Sequence, residues 1–66
     1  MSMLKVIEVL AESPKSWEDA AAVAIAQASK TVRHVESIYV ENMQATVKDG
    51  KIKAYRINAK ITFRLE

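Results

Sequence analysis

Asp49-Gly50 joins two long extended stretches, and this turn does most to limit what the chain can fold into. A two-residue hairpin turn of type I′ needs positive φ at both central positions, and Asp-Gly is among the few pairs that accept it. Behind the turn, Tyr55, Ile57, Ala59, Ile61, Phe63 and Leu65 fall on one side of an extended chain, and Arg56, Asn58, Lys60, Thr62 and Arg64 fall on the other. Ahead of it, residues 35–48 alternate less cleanly: Ile38 and Val40 point one way, while Tyr39, Met43, Ala45 and Val47 point the other. A hairpin is barely stable alone in water, so its apolar side needs a cover.

One helix supplies that cover. Trp17, Ala20, Ala21, Ala24, Ile25, Ala28 and Val32 recur at helical spacing, which predicts a helix over residues 17–33. Ser16 is its N-cap, with Asp19 in the position of a short capping box. Glu18 and Asp19 in the first turn, and Lys30 and Arg33 near the last, suit the helix dipole. His34, just beyond, reads as a capping group. The buried stripe is mostly alanine, so the helix can lie close to its partner. Ala22, Val23 and Ala26 add small apolar surface that a subunit interface would cover. Upstream, Met3–Leu10 is short, β-rich and apolar, and reads as a strand, with residues 11–16 as the breaker around Ser13-Pro14.

The element order is therefore β-α-β-β in a single domain over residues 1–66, an α+β fold. Placing the last strand centrally makes every neighbouring pair antiparallel, in spatial order 1-3-2, with the sheet partly wrapped around the helix. The strict alternation of that strand suits a central position with one face on the helix.

Size then bears on assembly. Sixty-six residues with 50% hydrophobic and 27% charged content belong with folded domains. A domain of about 60 residues buries only about 60% of its unfolded surface, so a lone copy is marginal. The chain has no cysteine and one histidine, which removes disulfides, thiolate zinc sites and imidazole clusters. Oligomerisation is the remaining common remedy. The net charge of +2 falls short of the clustered excess of a nucleic-acid binder, and no aromatics interleave with the cations. No apolar run of membrane-spanning length and no signal-peptide plan is present, so a cytoplasmic protein without membrane partners is expected. With one glycine, no phosphate loop and no nucleophile–base motif, no enzymatic activity is expected.

The order β-α-β-β, the helix opening "SPKSWEDAAAVAIAQASKTVR" and the ending "YRINAKITFRLE" resemble the dodecins, from Val6 to Glu66. The resemblance implies a hollow homododecamer that binds flavins (riboflavin, lumichrome or FMN) in pairs at two-fold axes. It also implies a storage or sequestration role without catalysis. Two positions depart from the pattern. A tryptophan that stacks on the flavin falls on Ser37, and a glutamine that hydrogen-bonds its polar edge falls on Arg56. Stacking is worth roughly 1–3 kcal/mol per contact by analogy with bases. Guanidinium only donates, where a glutamine amide donates and accepts.

The resemblance thus points to a small-ligand shell with an altered site, its contacts Ser37, Tyr39, Arg56 and Asn58. Tyr39, two residues from Ser37 on one strand face, is the candidate replacement aromatic. The cation row Arg56, Lys60 and Arg64 is a solvated face, or is bonded to Glu41, Glu66 or a neighbour's carboxylate, or, in Lys60 and Arg64, contacts an anion. Dodecins like this one can carry FMN or coenzyme A phosphates on such arginines, whose fork suits them. The alternative is a flavin-free structural or calcium-type shell. In it Glu36, Glu41 and Asn42 supply oxygens to a divalent cation, completed by symmetry copies because calcium takes six or more.

Overall fold

The computed structural model describes residues 2–65 and has the order β1 (Leu4–Ser13), α1 (Trp17–Ala28), β2 (Val35–Lys48) and β3 (Lys51–Arg64). The three strands form one antiparallel sheet in the order β1-β3-β2, and α1 lies on one of its faces. Asp49 and Gly50 have φ of 54° and 74°, the left-handed pair that the type I′ turn requires.

The core is thin and sits between α1 and the middle strand. Ile57, Ala59 and Ile61 of β3 are fully buried against Ala20, Ala24 and Ala28, one residue per helical turn. Alanines at this spacing form a smooth stripe that lets the helix approach the sheet closely. Full burial of each isoleucine stabilises the fold by about 1.5–3 kcal/mol. Val9, Ala11, Trp17, Ile38 and Val35 close the edges of this core.

Both ends of the helix are set by side chains. The Ser16 hydroxyl accepts the Asp19 N–H at 2.9 Å, the expected N-cap. The Asp19 carboxylate bonds to a different residue, accepting from the buried Ser13 hydroxyl at 2.6 Å. Ser13 in turn accepts the Lys15 N–H, which fixes the turn at Pro14. The helix stops at Ala28, not at residue 33. Thr31 and Val32 direct their N–H groups to the Ala28 carbonyl, and the Thr31 hydroxyl donates to it as well. Turn geometry replaces regular helix there because the chain must reverse to reach β2. Lys30 and Arg33 therefore lie beyond the last helical turn and do not serve the dipole. His34 is no cap either: at φ 58° it redirects the chain, and its carbonyl accepts the Arg64 N–H.

Two strand readings also change. β1 continues through Ala11, Glu12 and Ser13, which pair with Ile57, Arg56 and Tyr55. A residue before proline prefers extended backbone, so Ser13 ends a strand where a loop was expected. In β2 the register shifts between Val35 and Ser37, between Val40 and Asn42, and between Thr46 and Val47. The middle shift turns Met43 and Ala45 onto the helix side, opposite Ile57 and Tyr55, where simple alternation had placed them on the other face. Tyr39 stays on that other face, opposite Lys60.

Candidate functional site

The face of the sheet turned away from α1 has no cover in this chain, and it gathers every candidate residue. In an antiparallel sheet, residues opposite each other in register share a face. The even-numbered residues of β3 therefore define this open face, and five cross-strand rows lie across it. Arg56 stands between Glu12 and Gln44, and Asn58 between Leu10 and Asn42. Lys60 follows between Glu8 and Tyr39, Thr62 between Val6 and Ser37, and Arg64 stands opposite Leu4.

Charged rows alternate with neutral ones, and each cation has a carboxylate from its own chain. Arg56 directs Nε and Nη2 to Glu12 Oε1 at 3.2 and 3.0 Å. Lys60 Nζ lies 3.7 Å from Glu41 Oε2, and Arg64 Nη1 lies 2.9 Å from Glu36 Oε2. The register shifts bring Glu36 and Glu41 to these cations, since each sits at a shift in β2. The face carries three cations and four carboxylates once Glu8 is included, so it is slightly acidic although the chain is basic.

Between the first two charged rows, Asn58 Oδ1 is buried and has no hydrogen-bond partner among the described residues. A shallow pocket of about 260 Å³ lies beside it, lined by Leu10, Ala11, Glu12 and Arg56. Leu4, Val6 and Leu10 of β1 are at least half exposed on the same face, and Tyr39 is 66% exposed. Apolar side chains exposed together in this way mark a contact surface more often than plain solvent surface.

The structure does not bring Ser37 and Arg56 together within one chain. Ser37 pairs with Thr62, six residues along β3 from Arg56, a separation of roughly 20 Å at the usual strand rise. Trp17 lies on the other side of the sheet. Its ring meets Tyr55 edge-on at 4.8 Å, and its Nε1–H donates to the Gln44 carbonyl at 2.8 Å.

Of the metal-type donors, Glu36 and Glu41 are bonded to Arg64 and Lys60, while Asn42 faces Asn58. Among the described residues no group of three or more His, Asp or Glu side chains converges. Glu66 lies outside the described residues. Among the described residues no helix is long and apolar enough to cross a membrane.

Sequence reasoning missed Glu12, Glu8, Leu10 and Gln44 as members of the face. Glu12 had been placed in a loop, and the period-2 pattern of β1 was hidden by its apolar residues on both sides.

A small α+β protein with one sheet face on a single helix and the other bare is the class this architecture defines. The dodecin family model matches residues 3–66, and the chain belongs to the dodecin family. It is 38% identical over 66 residues to calcium dodecin of Mycobacterium tuberculosis, covering 98% of this chain and 92% of that one. It is 32% identical over 62 residues to the dodecin of Thermus thermophilus, covering 94% of this chain and 90% of the relative. A crystal structure of a T. thermophilus dodecin variant superposes with a TM-score of 0.94 at 30% identity, covering 100% and 98% of the two chains. The crystal structure of M. tuberculosis calcium dodecin gives 0.85 at 36% identity, covering 98% and 93%.

Proposed function

We propose that this dodecin is a non-catalytic, homo-oligomeric shell that binds a small planar ligand, flavin by family habit, between the open sheet faces of neighbouring copies. The observation that supports this most is the separation of Ser37 from Arg56. Both lie on the open face, yet one chain holds them roughly 20 Å apart, so a single ligand meets both only where two copies face each other. Exposed Leu4, Val6 and Leu10 make such a contact favourable, because a monomer leaves them in water. Ser37 offers a hydroxyl where family members stack a tryptophan, and Tyr39, two residues on, provides the aromatic surface. Arg56, held by Glu12, donates to carbonyl groups at the ligand edge.

Two measurements test the reading. Native mass spectrometry at micromolar protein should give one closed oligomer, and a monomer would overturn the shell. Titration with riboflavin should quench its fluorescence to a plateau, weakly compared with dodecins that carry the tryptophan. Fluorescence that stays unquenched at saturating protein would overturn the flavin assignment.

A second reading has its own support in the 38% identity to a relative named for calcium. Here Glu36, Glu41 and Asn42 of several copies would surround a divalent cation. The carboxylates must first leave Arg64 and Lys60, which costs part of the binding energy. Calorimetric titration of chelator-treated protein with calcium separates the two readings, since saturable heat without flavin quenching selects the cation.

A further inference from the structure

We infer that the open face selects an uncharged ligand carrying N–H donors over its phosphate-bearing counterpart, with Glu12, Glu36 and Glu41 as the excluding residues and the Asn58 amide as a contact. The inference deepens the flavin reading above and rests on it for the ligand's identity.

Three observations carry it. First, each cation of the face already has a carboxylate of its own chain at 3.0, 3.7 or 2.9 Å. A phosphate dianion reaching Arg56, Lys60 or Arg64 must displace that carboxylate or lie beside it, and like charges repel at such distances. Second, Glu8 stands opposite Lys60 in the register, so the middle row holds one ammonium and, with Glu41, two carboxylates. The three cations of the face are thus outnumbered by four carboxylates. Third, the row between the charged ones is neutral and contains Asn58, whose buried amide oxygen has no partner. An acceptor left so pays its desolvation without return, which a ligand N–H would recover. Leu10 beside it supplies an apolar wall for a flat ring. An uncharged heterocycle with an imide or amide N–H fits this row, and its phosphate ester would extend into a row whose cations are taken.

The test compares riboflavin with FMN on the assembled protein. Wild type should bind riboflavin at least as tightly as FMN, with little change on adding sodium chloride. The combined variant Glu12→Gln, Glu36→Gln and Glu41→Gln should shift the preference toward FMN by about tenfold, each exposed carboxylate counting for a few-fold at most. Asn58→Leu should weaken riboflavin by about tenfold, the worth of one buried hydrogen bond, without changing the ratio of the two flavins. A salt-sensitive preference of wild type for FMN would overturn the inference, and so would an unchanged ratio in the carboxamide variant. Riboflavin affinity unaffected in Asn58→Leu would overturn the role of the amide. If neither flavin binds, the flavin reading fails, and calorimetry with inorganic pyrophosphate decides the selectivity separately. Binding to the carboxamide variant alone upholds it; binding to wild type, or to neither protein, overturns it.

Discussion

The indole N–H of Trp17 donates to the main-chain carbonyl of Gln44 at 2.8 Å, tying the first turn of the helix to the far strand of the sheet. The two residues are 27 positions apart, and the same ring packs edge-on against Tyr55 of the central strand. One side chain thus joins α1, β2 and β3 at the end of the molecule where the hairpin extends. Gln44 itself stands opposite Arg56 on the open face.

Replacing Trp17 by Phe keeps an aromatic ring on Tyr55 and removes the donor. The expected loss is about 1–2 kcal/mol, one hydrogen bond plus some packing. Urea unfolding at a fixed protomer concentration measures it, because the apparent stability of an oligomer depends on concentration. A change below a few tenths of a kcal/mol would mean that the bond contributes nothing net.

The turn gives a second test. Gly50 has φ of 74°, and a Cβ added there meets no atom within 4 Å, so any cost of Gly50→Ala is backbone strain alone. About 1–2 kcal/mol of destabilisation is expected, the penalty for an L-residue in left-handed conformation. Asp49→Asn should be neutral or slightly stabilising, since asparagine accepts the same conformation.

The alanine stripe predicts the opposite kind of sensitivity from most cores. Ala20 is fully buried beneath Ile57 and Ala59. Ala20→Leu has no room and must lift the helix from the sheet, at about 1–3 kcal/mol, typical of overpacking. Ala22→Leu, on the exposed side of the helix, should leave the single chain's fold intact. If the helix flanks form subunit contacts, native mass spectrometry will show that variant failing to assemble.

The ion pairs of the open face should contribute little to stability. The Arg56 and Glu12 side chains remain about a third and a half exposed. A double-mutant cycle with Arg56→Gln and Glu12→Gln should give a coupling of about 0.2–1 kcal/mol that declines with salt. A coupling well above that range would make the pair a structural element of the fold.

Restoring the family's pattern tests the proposed match of Ser37 and Arg56 to the two ligand positions. Ser37→Trp together with Arg56→Gln should raise riboflavin affinity by about tenfold or more, given roughly 1–3 kcal/mol per stacked aromatic. No gain in the fluorescence titration would show that these two residues do not meet the ligand.

What could be read from the sequence was whatever depends on local chemistry. Positive φ at Asp49-Gly50 fixed the hairpin, strict alternation in residues 55–65 marked the central strand, and the Ala20–Ala24–Ala28 spacing marked the face of the helix. Those signals led to the fold, to the family and to the polar row of β3. Other features depended on where the chain had to go. The helix ended at Ala28 because the path to β2 required a reversal, although the apolar spacing continued to Val32. β1 reached Ser13 because the long central strand offered partners for three more residues. The shifts in β2 turned Met43 to the helix side and carried Glu36 and Glu41 to Arg64 and Lys60, which no period-2 pattern encodes. The sequence therefore determined which residues of β3 line the open face, through the alternation of side chains along a strand. Tertiary structure alone decided which of them bond to each other, because that depends on register, and register is set between strands.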